Sequence, residues 1–407
     1  MSDPNSDDDE VKRPYTGRSI ALLGSSRLTK AVAQEETRPP LLKRTLKAAI
    51  IGHTGRGDYG HELDEIFSDR EDLELVALAD ASETGRKKTE NKLAPIRGYA
   101  DFRQMLQQAK PDLVCIAPRH ADQHKTMALA CLEAGAHILL DKPFVRDPAE
   151  ADEILKIAAA ENLKVAVAHQ MRVAPNVVHL RDVIRGGMIG RLLEIRAWGK
   201  QDHRAGGEDM MVLGVHQFDL MRMFAGDPLS CSARVLRDGR EFNVDDARIP
   251  DENVGPVAGD EIVAHFTFAK GVEATWTSRR ALREQVGNWA IEFQGSAGAA
   301  RINCSIPPMT FVSRKTPWDT NGRLETWEPL INDPLRVERD TRYNFRTENA
   351  RVVDDWINAI RTDGVPICSG ANAAAAIEMV MAVYRAALAG QRVNLPLKNR
   401  MHPLPSR

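Results

Sequence analysis

The sequence lacks the cysteine pattern of a disulfide-bonded or zinc-binding protein. Its five cysteines are spread over 407 residues without a Cys-x-x-Cys pair: Cys115, Cys131, Cys231, Cys304 and Cys368. An odd number of thiols in mostly apolar stretches predicts reduced, buried side chains and a reducing compartment. We therefore expect a cytoplasmic protein.

The sequence also has little excess of one charge and no long apolar run. The formal net charge is −2, and we find no run near the roughly 18 apolar residues of a membrane span. We therefore expect neither a nucleic-acid partner nor a membrane. Residues 1–45 have no apolar signal region and carry the acidic block Asp7–Glu10. They fit either a flexible tail or an arm that clasps a partner subunit.

A glycine cluster between two apolar runs is the most informative feature that is present. Residues 46–51 and 73–78 are the apolar runs, and a helix-compatible segment, residues 61–67, lies between them. The glycines of the turn are Gly52, Gly55, Gly57 and Gly60. Strand, glycine turn, helix and strand is the arrangement that binds a dinucleotide, with the pyrophosphate at the helix N-terminus.

Asp80, at the end of the second apolar run, indicates which dinucleotide is bound. It follows Gly60 by 20 residues, where a carboxylate accepts the ribose hydroxyls and repels a 2′-phosphate. Ala81 supplies no compensating cation, although Arg86 and Lys87 follow about a turn later. We therefore expect NAD rather than NADP. The alternative to a dinucleotide site is that these glycines form an ordinary glycine-rich turn in an α/β domain.

Residues 46–170 alternate short apolar runs with amphipathic stretches. This alternation predicts an α/β domain with a doubly wound parallel sheet. The expected strands are Lys47–Gly52, Leu73–Asp80, Asp112–Ala117, His137–Leu140 and Lys164–Ala168, and the expected helices include Ala121–Ala134 and Pro148–Glu161.

The pattern changes after residue 170 to helices followed by several strand-like runs. Helices are expected at 174–185, 210–224, 346–361 and 371–389, and strands at 192–199, 230–236, 261–268, 272–277, 289–294 and 300–304. This order predicts a second, α+β domain over residues 171–396, with a large, mostly antiparallel open sheet. Residues 397–407 form a tail.

Lys142 lies just beyond a predicted strand end, in Asp141-Lys142-Pro143. Open α/β sheets bind ligands at the carboxyl ends of their strands. The ammonium of Lys142 would hold a substrate hydroxyl beside the nicotinamide. The alternative is a solvated lysine in a strand-end loop.

A second candidate site is a helix that carries His216. Asp219 follows His216 by nearly one helical turn, and Asp209 precedes it by seven residues, nearly two turns. A histidine near a carboxylate acts as a general base at neutral pH. The alternative is a buried histidine on a helix that Asp209 caps.

Together these motifs resemble the Gfo/Idh/MocA family of nicotinamide-dependent oxidoreductases over residues 46–396. The glycine turn corresponds to the family's first motif, and Asp141-Lys142-Pro143 to its Glu-Lys-Pro. Its Gly-Gly-Gly-x-x-x-Asp-x-Gly-x-His-x-x-Asp motif is matched by Gly206, Gly207, Gly214, His216 and Asp219. The segment from Ala117-Pro118 through His124 is similar to its Thr-Pro-x-x-x-x-x-His loop, which would place Pro118, His124 and Asp141 at the cofactor.

The resemblance implies that His216 accepts a proton, that Lys142 holds the reacting oxygen, and that Asp219 helps bind the substrate. One departure is important: the family's acid four residues before the histidine is Val212 here. We hypothesise that Asp209 supplies the missing carboxylate as a third catalytic residue.

Two smaller sets of residues complete the candidates. Arg172, in His169-Gln170-Met171-Arg172 after a predicted strand, is expected to hold a hydroxyl or carboxylate of the substrate. His120 and His124 are four residues apart, but no third ligand matches their spacing, so we expect no metal site.

Three hypotheses for function follow. The first is an NAD(P)-dependent oxidoreductase acting on a sugar, cyclitol or related polyhydroxy compound. The second, motivated by Val212, is a glycosidase-type enzyme with tightly held NAD, and the third is a non-catalytic dinucleotide-binding subunit. We also expect a homo-oligomer, a dimer or tetramer, since alternate residues of 272–277 leave one polar face of the second sheet free to pair with its copy.

Overall fold

The first sheet forms where apolar runs and amphipathic stretches alternate. The computed structural model describes residues 44–93, 96–280, 289–316, 318, 326–330 and 345–406. The strands of this sheet are β1 Leu46–Ile51, β2 Leu73–Ala79, β3 Arg97–Tyr99, β4 Leu113–Ile116, β5 His137–Leu140 and β6 Val165–Val167. All neighbours pair in parallel, in the order β3-β2-β1-β4-β5-β6. The predicted doubly wound fold is confirmed, and its order reverses between β1 and β4, where such sheets bind ligands.

Four helices connect these strands: α1 Glu83–Lys92, α2 Phe102–Ala109, α3 His124–Glu133 and α4 Pro148–Ala160. α4 begins where its sequence dictates. The Asp147 side chain accepts the Glu150 N–H at 3.0 Å, and Pro148 occupies the first helical position, where no N–H is needed.

The second sheet is mixed but mostly antiparallel, as predicted. Its strands are β7 Leu192–Trp198, β8 Pro228–Arg237, β9 Arg240–Glu241, β10 Glu261–Phe268, β11 Glu273–Arg279, β12 Ala290–Gly295, β13 Ala299–Asn303, β14 Met309–Ser313, β15 Glu328–Pro329 and β16 Val393–Asn394. The order is β15-β14-β13-β12-β7-β11-β10-β8-β16, and β9 pairs with β8. Only β7 and β11 pair in parallel among these described strands.

Helices accompany this sheet and the end of the chain. They are α5 Pro175–Arg185, α6 Gly207–Asp209, α7 Val215–Ala225, α8 Phe345–Arg361 and α9 Gly370–Ala389. A π-helical turn, Met210–Gly214, joins α6 to α7 without a break. Single π-turns inside helices occur frequently at functional sites.

The helix expected over residues 61–67 does not form, so this prediction is wrong. The chain makes only a 3₁₀ turn, Leu63–Glu65. Gly60 and Glu62 have φ values of 57° and 60°, which are incompatible with a continuing α-helix. No α-helix therefore presents its N-terminus to a pyrophosphate here.

The sheet face that this helix would cover is covered by α8 instead. Val353 and Trp356 of α8 are buried in one cluster with Ile50 of β1 and Cys115 of β4. The Trp356 indole N–H also donates to the Lys164 carbonyl oxygen at 3.2 Å. A helix near the end of the chain thus completes the first sheet.

Helix α9 is apolar and long enough to span a membrane by composition, which the sequence analysis did not detect. Its apolar residues are mostly alanines interrupted by Glu378 and Arg385, so no continuous apolar run is visible. In the structure 67% of its most apolar window is buried, against α4, α7 and β8. Such burial is typical of a core helix.

The two faces of the second sheet differ in burial, as the alternation predicts. On β11, Ala274 and Trp276 are fully buried, whereas Glu273 is exposed and Thr275 is half-buried.

All five cysteines are buried and free, which agrees with reduced thiols.

Candidate functional site

A cavity of about 310 Å³ lies where the carboxyl ends of the first sheet meet the second domain. Its lining includes Lys142 after β5, Arg119 after β4, and Val212 and His216 from the helical segment that contains the π-turn. This volume is within the range of small-molecule sites. The two residues with the strongest catalytic predictions, Lys142 and His216, therefore share one cavity.

Lys142 is buried, with 5% of its surface exposed. Its Nζ donates to the Val212 carbonyl oxygen at 3.2 Å, and its backbone N–H donates to the Asp141 carboxylate at 2.8 Å. Burial lowers the pKa of Lys142, and Arg204 and Arg119 act in the same direction. The ammonium is therefore poorly solvated and suited to hydrogen-bonding an oxygen that gains negative charge.

His216 is also buried, and its Nδ1 has no hydrogen-bond partner among the residues that the structure describes. Its ring lies 5.2 Å from that of His169 and 5.8 Å from that of Trp289, between ring centroids. Burial lowers the pKa of His216 well below 6.5, with His169 and Lys142 contributing. The imidazole is therefore neutral at physiological pH, which is the form that accepts a proton.

The π-turn puts a valine where the family pattern has an acid. Val212 lines the cavity, and its carbonyl oxygen accepts a hydrogen bond from the Lys142 Nζ. A neutral carbonyl stabilises the ammonium less than a carboxylate would. The Lys142 ammonium is thus positioned by a backbone carbonyl, that of Val212, and not by a carboxylate.

Arg172 and Asp219 pair with each other. The Arg172 Nε and Nη2 donate to the Asp219 carboxylate at 2.8 and 2.9 Å, and neither residue is among those that line the cavity. Burial raises the pKa of Asp219, but Arg172 and His169 lower it overall. The Asp219 carboxylate also lies 3.6 Å from the Nδ1 of His169. The Arg172–Asp219 pair therefore contacts His169, whose ring lies beside that of His216.

Asp209 does not reach His216. Its carboxylate accepts the backbone N–H groups of Lys200 and Gln201 at 3.1 and 3.0 Å, and the Ser278 hydroxyl at 2.6 Å. It is fully buried, and burial raises its pKa. The prediction that Asp209 replaces the missing catalytic acid is therefore wrong, because three donors of the second domain occupy it.

We expect Asp209→Asn to reduce stability, by about 1–3 kcal/mol, because the amide NH₂ would face N–H or O–H donors in a buried place. Thermal unfolding with and without the substitution measures this loss. The acidic limb of the pH–rate profile should stay unchanged. A shifted limb in a stably folded variant would restore a catalytic role.

The glycine turn is packed closely against the ends of β4 and β5. Gly57 has φ 86°, and a Cβ there would lie 2.5 Å from the Arg119 nitrogen, so a side chain is excluded. Gly55 and Gly60 also have positive φ, whereas the ring of Tyr59 lies over Gly52. The Asp58 carboxylate accepts the Gly55 N–H at 2.9 Å, so its hydrogen bond lies within the glycine turn itself.

Asp80 lies at the end of β2, as predicted, but it is 1% exposed. Its carboxylate accepts the Thr54 N–H at 3.2 Å, the Thr54 hydroxyl at 2.6 Å and the Ser82 N–H at 2.9 Å. A ribose hydroxyl must therefore replace the Thr54 hydroxyl. With that one exchange the residues present fit a dinucleotide, since the glycine turn lies beside the strand ends and Lys142 and His216 line one cavity there.

His124 links two loops at this end of the sheet. It is fully buried, its Nε2 lies 2.7 Å from the Pro118 carbonyl oxygen, and its Nδ1 lies 3.0 Å from that of Phe144. Asp141, also fully buried, accepts from His61 Nδ1 at 3.1 Å. Burial raises the pKa of Asp141, but His61 and Lys142 lower it overall. These residues shape the turn that carries Lys142.

His120 lies beside Asn253, with 3.2 Å between its Nδ1 and the amide nitrogen. Within the described ranges no three His, Cys, Asp or Glu side chains form a group that could hold a metal ion.

Four charged residues of the cavity were not selected from the sequence: Arg119, Lys200, Arg204 and Glu252. Arg119 lies in the loop already noted between Pro118 and His124, so its position was available. Lys200 and Arg204 come from the segment that Asp209 anchors, and Glu252 comes from the segment between β9 and β10. No local motif marks these three.

Two family models match successive parts of the chain. Residues 46–169 match the Gfo/Idh/MocA oxidoreductase family's NAD-binding Rossmann fold, and residues 178–395 match its C-terminal alpha/beta domain. Among curated relatives, the chain is 28% identical to D-glucoside 3-dehydrogenase of Escherichia coli over 197 residues, which is 45% of this chain and 55% of that one. It is 23% identical to myo-inositol 2-dehydrogenase of Thermotoga maritima over 217 residues, 52% of this chain and 61% of the relative. These alignments therefore span less than two thirds of the relatives' lengths.

Solved structures share the fold of most of the chain. The chain matches a levoglucosan dehydrogenase in complex with NADH and levoglucosan with a TM-score of 0.69 and 20% identity, over 86% of this chain and 100% of that one. It matches an NAD-binding oxidoreductase from Klebsiella pneumoniae with a TM-score of 0.68 and 18% identity, over 87% and 99%. Since both domain matches follow each other along the chain and the architecture agrees throughout, this protein belongs to the Gfo/Idh/MocA oxidoreductase family, with an NAD-binding Rossmann domain.

Proposed function

We propose that this protein is an NAD-dependent oxidoreductase that transfers hydride between nicotinamide and a CH–OH group of a sugar, cyclitol or related polyhydroxy compound. The observation that carries the proposal is the shared cavity of Lys142 and His216. A buried cation and a neutral, unpartnered imidazole at one strand-end cavity are the two groups that alcohol oxidation needs. The names of the relatives, a glucoside, an inositol and a levoglucosan dehydrogenase, support the substrate class.

The chain's own residues act on the substrate oxygen. His216 accepts the proton of the hydroxyl, and Lys142 donates a hydrogen bond to the same oxygen as it becomes a carbonyl. NAD supplies the hydride acceptor when bound. Val212 and Trp289 are apolar residues of the cavity lining, and the Arg172–Asp219 pair positions His169 beside His216.

A glycosidase-type reaction with retained NAD stays the second candidate because of Val212. The family's acid is absent, and the structure supplies no carboxylate in its place from Asp209. The non-catalytic alternative is disfavoured, because a structural subunit has no need for an unpartnered, buried histidine beside a buried lysine.

The test is incubation of the purified protein with NAD⁺ and a panel of polyols, sugars and their glycosides. An oxidoreductase accumulates NADH with a ketone or aldehyde product. Glycoside cleavage without net NADH would favour the second candidate. A protein that binds NADH but transforms no member of the panel would contradict both.

We predict that NAD binds more tightly than NADP, since the Asp80 carboxylate repels a 2′-phosphate. Arg86 donates to the Asp80 carbonyl oxygen at 2.7 Å and is a cation that could offset this repulsion. Titration calorimetry with both dinucleotides measures the preference. Asp80→Ala should reduce it, with Arg86→Ala as the matched variant that should increase it. Tighter binding of NADP by the unchanged protein would contradict the prediction.

We also propose that the protein is a homo-oligomer, a dimer or tetramer, formed through the outer face of the second sheet. Val263 and Thr277, half-buried partners on β10 and β11, lie on this face, opposite the buried pair Ala264 and Trp276. Light scattering should give a mass at least twice the 45.1 kDa of one chain. Val263→Asp should lower the mass toward 45.1 kDa. A monomer at micromolar concentration would refute the proposal.

The location of the protein in the cytoplasm stays a prediction, supported by its five free, buried thiols.

A further inference from the structure

The charges around the cavity are unbalanced. Among the residues that the structure describes, its lining contains four side chains that carry a positive charge and one carboxylate: Arg119, Lys142, Lys200, Arg204 and Glu252. Neutral sugars need hydroxyl-binding groups of both kinds but no excess of cations. The excess requires an explanation beyond alcohol oxidation.

Pairing within the protein accounts for only one of these cations. Arg204 is neutralised by Asp202 at 2.6 Å and by Glu252 at 3.2 Å. Lys200 lies 3.6 Å from the same Asp202, with 37% of its side chain exposed. Asp202 is therefore shared, and its contact with Lys200 is longer and weaker than its contact with Arg204.

Arg119 is less compensated than Lys200. It is half-buried, and within the described part of the chain no carboxylate lies at ion-pair distance from it. A guanidinium in a partly enclosed cavity gains most from an oxyanion that its fork can hold with two hydrogen bonds.

We propose that the polyhydroxy substrate carries an oxyanion, a carboxylate or a phosphate, which Arg119 and Lys200 bind while His216 and Lys142 act on a hydroxyl of the same molecule. This inference rests on the proposed function and narrows its substrate class. The first domain supplies Arg119 and the second supplies Lys200, so the anion would be bound by both domains of the chain.

The principal rival is that these cations bind the diphosphate of the cofactor. Arg119 is close enough to the glycine turn for its backbone N–H to donate to the Gly57 carbonyl oxygen at 3.2 Å. Lys200, however, belongs to the segment after β7 that Asp209 anchors through the Lys200 N–H. It lines the same cavity as Lys142 and His216, the two residues proposed to act on the substrate hydroxyl. If the cations bind the substrate anion, variants at these positions lose the preference for anionic compounds. If they bind the cofactor diphosphate, the same variants lose affinity for NADH, so the two assignments can be distinguished.

The experiment compares matched sets of compounds: D-glucose, D-glucuronate and D-glucose 6-phosphate, and myo-inositol with its monophosphates. Binding to the protein–NADH complex is measured by titration calorimetry, and kcat/KM is measured for every compound that is turned over. We expect an anionic member to bind at least about tenfold more tightly than its neutral partner, as one charge-assisted contact provides. Comparison of D-glucuronate with D-glucose 6-phosphate shows whether the site prefers a carboxylate or a phosphate.

The variants Arg119→Gln and Lys200→Gln should remove this preference and leave the dissociation constant of NADH within about twofold. Arg103→Gln, an exposed arginine on α2, is the matched control and should change neither quantity. Each variant's thermal unfolding is compared with that of the unchanged protein to confirm that it folds.

Several results would overturn the inference. Equal or weaker binding of every anionic member does so, as does an NADH affinity that falls in Arg119→Gln while the substrate preference persists. Turnover of neutral compounds with no effect of either variant refutes the inference but leaves the proposed function intact. Failure of NADH itself to bind refutes the proposed function instead.

Discussion

His216→Gln should lower turnover by about 10²–10⁴-fold, the contribution of a positioned general base. The imidazole of His216 is buried, and its Nδ1 has no partner within the described chain. Glutamine keeps a polar side chain of similar reach but cannot accept a proton near neutral pH. His203→Gln is the matched control, since this histidine is exposed and close in sequence. Steady-state kinetics on any substrate that the protein turns over measures the loss.

The pH dependence of the same variant separates a base from a structural residue. Burial lowers the pKa of His216 in the folded protein, so the unfolded chain binds more protons than the folded one below about pH 6.5. His216 therefore reduces stability as the pH falls through that value. Glutamine removes this effect, so the variant's melting temperature should rise relative to the unchanged protein at acidic pH, and the acidic limb of its pH–rate profile should vanish. A variant that keeps both turnover and the limb would contradict the role of His216.

Lys142→Met should lower turnover by at least about tenfold, because a charge-assisted hydrogen bond to the reacting oxygen contributes about 1.5–3 kcal/mol. The side chain is buried, and its described hydrogen-bond acceptor is the neutral Val212 carbonyl. The variant loses this one bond but also removes a charge that burial disfavours. Its melting temperature should therefore stay close to that of the unchanged protein.

The control for Lys142 is Lys156→Met, on the exposed side of α4. It makes the same chemical change far from the cavity and should leave turnover unaltered. Unchanged turnover in Lys142→Met would show that the assigned role is wrong. A large drop in melting temperature would show that Lys142 serves the fold.

The parts of the site that the sequence predicts are those placed by regular structure. Lys142 follows a four-residue buried strand, β5, and its position at the sheet edge follows from that strand alone. His216 lies on a helix whose apolar residues indicate burial. Both positions depend on local pattern and on the rule that ligands bind at strand ends.

Asp209 shows where local pattern is insufficient. Seven residues on an ideal helix separate two side chains by about 10.5 Å along the axis, and the sequence cannot show which donors surround a carboxylate at that distance. The Lys200 and Gln201 N–H groups come from the end of another strand, β7, and Ser278 comes from β11. Long-range packing of the second sheet thus decides the role of Asp209.

The glycine turn shows a second limit. Its spacing predicts a dinucleotide site with a following helix, but the left-handed conformations of Gly60 and Glu62, which explain why the helix is absent, are not visible in the spacing. The sheet face is then closed by α8, almost 300 residues later in the chain. No local signal in residues 61–67 reveals that α8 covers this face in place of a helix formed by these residues.

The most direct test of the central claim uses a substrate with deuterium at the carbon that carries the reacting hydroxyl. After reaction with NAD⁺, mass spectrometry of the nicotinamide should find one deuterium in NADH for each molecule of carbonyl product. Deuterium that remains in a cleaved sugar, or NADH that forms without it, would contradict hydride transfer as the reaction of this protein.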